Sequence, residues 1–176
     1  VATSSQSTDA ATIGRAYFEA VGRRDLDAMT AFYEPGGTGE IHGMVELRVP
    51  GSYRTWFGEF FEAFPDFVLE VIEVVAEGEK AVVRWRATGT FDGSARFEGL
   101  DPNGAEVEIQ GCDVLTVRDG RIHRNDAYLN AADLARQLGA LPPAGSPIER
   151  LMTAALNLKT HLASTVQRHQ SSEPAQ

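Results

Sequence analysis

Cysteine is nearly missing: Cys112 stands alone among 176 residues, which excludes an internal disulfide framework and any zinc site built on cysteine pairs. Positive charge is also scarce. Sixteen Lys and Arg face 25 Asp and Glu, for a net charge of −9 with no basic block, which argues against nucleic acid and anionic membrane surfaces as partners. No apolar run approaches the length of a membrane span, and no charged segment followed by an apolar one opens the chain, so a cytoplasmic location is expected. The sequence has no GxSxG elbow, no Gly-rich phosphate loop and no HExxH. His42, His123, His161 and His169 are scattered, without the spacing of metal ligands; the last three are expected at the surface. No cofactor or metal is therefore expected. What survives is proton transfer by carboxylates, a tyrosine and a histidine.

The length suits one domain, and the apolar fraction of 43% can supply an ordinary core. Residues 1–9 and 169–176 are polar and small, and are expected as disordered tails around a domain over 10–141, with a linker and terminal helix over 142–168. Ile13, Ala16, Tyr17, Ala20 and Val21 follow helical spacing, which points Tyr17 inward. Asp25 caps a second predicted helix with Leu26, Met29, Phe32 and Tyr33 on its inner face, ended by Pro35. Residues 36–49 have no clear pattern; Glu40 and His42 are their polar residues of interest. Tyr53, Trp56, Phe57, Phe60, Phe61 and Phe64 then form an aromatic stripe on a third helix. Most of these rings are expected in the core, with part of the stripe free to wall a cavity for a flat apolar ligand.

Strands follow over 67–76, 81–91 and 105–117. Ala81, Val83, Trp85 and Ala87 alternate against Val82, Arg84, Arg86 and Thr88, which puts the two arginines on a solvated face or near an acidic ligand. Asp119-Gly120 is a strong hairpin signal. Counting outward from a two-residue turn sets Val117 against Ile122 and Asp113 against Asp126; a bulge would shift the register by one and part the aspartates. Asp113 shares a face with Val107, Ile109, Leu115 and Val117, so burial and a like charge would both raise a carboxyl pKa there. Ser146-Pro147-Ile148-Glu149 reads as a capping box opening a terminal helix with Ile148, Leu151, Met152, Ala155, Leu158 and Leu162 on one stripe. That stripe is expected to cover a sheet face or a partner subunit.

Several stretches, taken in order, resemble the SnoaL-like polyketide cyclase branch of the NTF2-like superfamily. They are Tyr17-Phe18 ahead of Asp25-Leu26-Asp27, Phe64-Pro65-Asp66-Phe67, Gly89-Thr90 with Gly93, Asp113 ahead of Asp119-Gly120-Arg121-Ile122, and Gln137-Leu138-Gly139. The resemblance covers about residues 10–141 and implies an α+β cone, helices packed on a curved antiparallel sheet, and a homodimer paired through the outer sheet face. Ketosteroid isomerases of the same superfamily hold an enolate oxygen with a tyrosine and an aspartic acid at positions matching Tyr17 and Asp113. Their base would fall within Gly39 to Gly43, where no aspartate stands and Glu40 or His42 would replace it. The chain departs from the cyclase pattern at Phe91, where histidine is common, and at His123-Arg124-Asn125-Asp126, where an acidic residue and then a tryptophan are common.

The expectation is a cofactor-independent acid/base enzyme acting on a hydrophobic, carbonyl-rich small molecule, foremost a polyketide-type aldol cyclase. Asp113, Asp126, Tyr17 and His42 are the catalytic candidates; Trp56, Phe60, Trp85, Glu40 and Tyr128 are the substrate-contact candidates. Isomerisation, dehydration and epoxide hydrolysis are alternatives on the same pocket. A non-catalytic ligand-binding or dimerisation module is the alternative of another class.

Overall fold

The computed structural model describes the backbone of residues 3–170 and the side chains of residues 10–159. It forms two compact units, Val1–Ala140 and Leu141–Gln176. In the first, α1 (Thr3–Gly22) and α2 (Leu26–Ala31) precede β1 (Tyr33–Ile41), β2 (Val45–Arg48) and α3 (Gly51–Ala63). Then come β3 (Val68–Glu77), β4 (Lys80–Phe91), β5 (Ala105–Arg118), β6 (Arg121–Leu129) and α4 (Ala131–Gln137). The strands make one mixed sheet in the order β2-β1-β6-β5-β4-β3. Every neighbouring pair is antiparallel except β1 with β6, which run parallel.

The period of two along β4 is obeyed strictly: Ala81, Val83, Trp85 and Ala87 are buried while Arg84 and Arg86 are exposed. Those two arginines pair with Glu73 and Glu108 on the outer face, away from any interior site. Tyr17, Phe18, Ala20 and Val21 of α1 pack into the core with Val83, Leu115 and Ile122 of the sheet. Each of the three sheet side chains is fully buried, which contributes about 1.5–3 kcal/mol relative to exposure. The Asp25 carboxylate accepts the Ala28 N–H at the start of α2, and Asn130 accepts from Asp133 at the start of α4.

Three expectations change. The helix α1 begins at Thr3, inside the stretch expected as a tail. Tyr33 belongs to β1 rather than to α2, and Pro35 follows it in that strand. Proline is tolerated there because the β1–β6 register is irregular between Tyr33 and Thr38, so no ladder hydrogen bond is required of it. The unpatterned residues 36–49 form the rest of β1 and all of β2; their glycines and charges hide the alternation.

In the second unit, α5 (Pro147–Gln170) opens on a cap in which Ser146 Oγ accepts the Glu149 N–H and the Glu149 carboxylate accepts from Gly145. Ile148, Leu151, Met152 and Leu158 are exposed. The side chains of His161, Leu162 and His169 lie outside the described residues, as does the segment 171–176. No helix among the described residues is long and apolar enough to cross a membrane.

The loop from β4 to β5 carries Phe97 against Phe60 and Phe64 of the aromatic stripe. It is fastened by Gly93 and Ser94, whose N–H groups donate to Ala63 and Glu62 at the end of α3. A Cβ at Gly93 would stand 1.7 Å from the Glu62 carbonyl oxygen. Gly93→Ala is therefore expected to destabilise the fold by about 1–3 kcal/mol, as overpacking typically does, measured as a lowered urea midpoint at unchanged slope.

Candidate active site

The β5–β6 hairpin decides what lies inside. Asp119 and Gly120 have φ of 48° and 72°, both in the left-handed region that a type I′ turn requires. Arg118 faces Arg121 and Val117 faces Ile122, as counting outward predicts. Then His123 is inserted as a bulge. Thr116 pairs with Arg124, Leu115 with Asn125, Val114 with Asp126, and Asp113 with Ala127. The expected pairing of Asp113 with Asp126 is thereby corrected: the two carboxylates lie on opposite faces. An unbroken register would have set Arg124 beside Leu115 in the apolar row. The bulge instead turns Arg124 and Asp126 outward, seats Asn125 in the interior, and leaves the His123 ring bonded to Glu34.

Asp113 is the interior carboxylate, only 5% exposed. Trp85 Nε1–H donates to its Oδ1 at 2.7 Å, and Asn125 Nδ2–H donates to its Oδ2 at 2.7 Å. Burial pushes its pKa up to about 6; the two N–H donors hold it down from a larger rise, and the distant charge of Asp126 adds a little. Trp85 can lie flat toward Asp113 because Gly111 faces it across the ladder. A Cβ at Gly111 would come within 2.5 Å of the indole ring.

Beside Asp113 stand three buried phenols. The hydroxyl oxygens of Tyr17 and Tyr53 are 2.6 Å apart, and the Tyr33 hydroxyl donates to Tyr17 at 3.3 Å. Burial and mutual repulsion of the ionised forms raise all three pKa values well above that of a free phenol, so they remain neutral donors. Three hydroxyl protons serve two bonds within the trio, which leaves one for a bound molecule.

These groups form the polar end of a cavity of about 100 Å³. The walls are otherwise apolar. Trp56 and Phe60 line it as expected, together with Tyr53, Phe57 and Phe67. Four of the six stripe residues thus border the cavity while the stripe as a whole packs into the core, with Phe61 and Phe64 not among the cavity's walls. Trp85 also borders it, though as a hydrogen-bond donor as much as a wall.

The remaining candidates gather elsewhere. Glu40 lies beside Asp126 on neighbouring strands. His42 Nδ1 is 3.1 Å from Glu40, and its Nε2 is 3.1 Å from Asp126. The His42 ring stacks on Tyr128 at a centroid distance of 4.3 Å. Arg124 donates to both oxygens of Asp126 and to Glu40, which holds the Asp126 carboxyl below the ordinary range and keeps Arg124 charged. Of this group only Glu40 also borders the cavity. Asp126, His42 and Tyr128, expected at the site, line no part of it. Glu40, His42 and Asp126 offer three ligand atoms within 4.8 Å of one another, but a cation there would have to displace the Arg124 guanidinium from both carboxylates.

Tyr33, Tyr53 and Asn125 were missed as site residues. Tyr53 headed a stripe whose other members are all apolar, and its lone hydroxyl was the available signal. Asn125 gave no such signal, because it faces inward only in the shifted register of β6.

Trp85→Phe removes one of the two donors to Asp113. A hydrogen bond to a charged group contributes about 1.5–3 kcal/mol, so the Asp113 pKa should rise by about one unit or more beyond its present value. The sign for stability follows. A carboxyl raised from 3.8 to about 6 binds its proton more tightly when folded, so its contribution is fully present below pH 3.8 and is lost as pH rises through 6. Thermal melts should show the variant losing more stability at pH 8 than at pH 4; equal losses would mean that the indole N–H does not act on the carboxylate.

Comparison with known proteins places this geometry. The family defined by the SnoaL-like domain matches residues 14–125. No curated protein matches. Among solved structures, AclR, a candidate hydroxylase from Streptomyces galilaeus, is 22% identical with a TM-score of 0.69, covering 95% of this chain and 99% of its own. A candidate SnoaL-like polyketide cyclase from Jannaschia sp. CCS1 is 25% identical with a TM-score of 0.70, covering 79% of this chain and 97% of its own. An LEH-like epoxide hydrolase of M. tuberculosis is 21% identical with a TM-score of 0.57, covering 75% and 90%. The curved α+β architecture is that of the NTF2-like superfamily, and within it the chain belongs to the SnoaL-like family.

Proposed function

We propose that the chain is a cofactor-independent acid/base enzyme acting on a hydrophobic, carbonyl-rich small molecule, and that its reaction is a polyketide-type aldol ring closure. The observation that carries this is Asp113: a carboxylate poised near neutrality at the polar end of an apolar cavity, with a spare phenolic proton beside it. Similarity to a candidate polyketide cyclase adds support.

In this mechanism ionised Asp113 takes a proton from a carbon α to a carbonyl. The C–H electron pair moves onto the carbonyl oxygen, and the spare tyrosine hydroxyl donates to that enolate. The enolate carbon then attacks a second carbonyl of the same molecule, forming the C–C bond. The new alkoxide takes back the proton held by Asp113, so no oxidant or co-reactant is consumed. The aromatic walls fold the substrate and keep water out. Asp126 and His42 have no part, because they lie outside the cavity.

Ring closure is preferred over isomerisation for one reason. The position of β1 that faces the tyrosines is Gly39, where a Cβ would stand 3.8 Å from the Tyr33 hydroxyl. A second base is therefore lacking where an isomerase would need it, and the Glu40 carboxylate is held by Arg124 and His42. Homodimerisation is part of the same proposal. Val68, Ile72, Val75, Val82 and Tyr128 are exposed apolar side chains of the sheet, and mass in solution tests the pairing.

The α-proton of 2-tetralone, a flat apolar ketone, serves as a probe. In D₂O the protein is expected to accelerate hydrogen–deuterium exchange at that carbon, followed by proton NMR. Asp113→Asn should abolish the acceleration and Asp126→Asn should retain it. Tyr17→Phe should lower it by about 10²–10³, the usual effect of losing one oxyanion donor. Exchange that survives Asp113→Asn unchanged would sink the mechanism.

A further inference from the structure

One interior polar atom is not used by this mechanism. Asn125 is 6% exposed and borders the cavity. Its amide nitrogen donates to Asp113 Oδ2 at 2.7 Å and also faces the Tyr33 phenol oxygen. Two acceptors around the nitrogen fix the amide's orientation, since turning it over would set its oxygen against the carboxylate. The oxygen, Oδ1, is buried and has no hydrogen-bond partner. A buried acceptor without a donor is costly, and no donor of the protein is bonded to this one; the spare tyrosine proton is the one offered to the substrate's enolate oxygen. The Trp85 N–H goes to Asp113, and the tyrosines spend two of their three protons on one another.

We infer that Asn125 is a specificity residue: its Oδ1 accepts a hydrogen bond from a hydroxyl group of the bound molecule, so the cavity selects a hydroxylated, flat, apolar carbonyl compound. This rests on the cavity being the substrate site proposed above. A carbonyl or ether oxygen brings no proton and would leave Oδ1 unpaired. A cationic amine would pair with Asp113 and take away the base. A hydroxyl is the neutral donor that satisfies Asn125 and leaves Asp113 free. Sites that hydrogen-bond a ligand hydroxyl discriminate strongly against analogues lacking it, because the protein atom is then stranded.

The test is equilibrium binding of two inert probes at pH 7 by isothermal titration: 2-naphthol, which carries the donor, and 2-methoxynaphthalene, which does not. The full-length protein should bind the naphthol at least about tenfold more tightly. In Asn125→Leu that ratio should fall close to one, with the affinity for the methyl ether kept or improved. Equal affinities in the unmodified protein would overturn the inference, as would a ratio that persists in Asn125→Leu, or no binding of either probe. If the leucine variant does not fold, the ratio in the unmodified protein decides alone. Because these probes do not react, the result is independent of the 2-tetralone exchange. Equal affinities in the unmodified protein with Asp113-dependent exchange intact refute only the role of Asn125; a hydroxyl preference that needs Asn125, without Asp113-dependent exchange, refutes only the chemistry.

Discussion

The polar groups of the interior are arranged around one buried carboxylate at the end of the cavity. Asp113 would not stay ionised in an apolar row without help, because burial disfavours the charged form. Two N–H donors, from Trp85 and Asn125, supply that help, and the balance leaves the group close to neutrality. Each donor has its own structural requirement. The indole needs a glycine opposite, at Gly111, and the amide needs a bulge in β6 to turn it inward. A base of this kind is thus a product of the sheet's irregularities as much as of the aspartate itself.

The same bulge separates two electrostatic environments. Inside, a lone carboxylate and three neutral phenols share an apolar space. Outside, Asp126 and Glu40 share Arg124 and His42, and the Asp126 carboxyl is pulled down rather than up. Two aspartates separated by twelve residues consequently take opposite shifts, one from burial and one from a guanidinium. Side-chain direction, not sequence distance, assigns them.

Much of the fold was legible in the chain. The alternation of β4, the cap at Asp25, the Asp119-Gly120 turn and the inward aim of Tyr17 follow from local chemistry that tertiary packing leaves intact. β1 was not legible, because Pro35 and several glycines mask its pattern and its pairing with β6 is long-range. Tyr33 was misplaced with it. The site was half visible. Burial of Asp113 follows from strand parity, but pairing it with Asp126 assumed an unbroken ladder. One inserted residue reverses the face of everything beyond it, and only the cost of burying Arg124 hinted that the ladder must break. Asn125 was invisible for the same reason: its role exists only in the shifted register.

The most direct measurement is a carbon-detected NMR titration of the Asp113 and Asp126 side-chain carboxyls. The account predicts a midpoint of about 6 for Asp113 and one below 3.8 for Asp126. An ordinary value for Asp113, or an upward shift shared by both aspartates, would contradict the buried, singly placed base on which the rest depends.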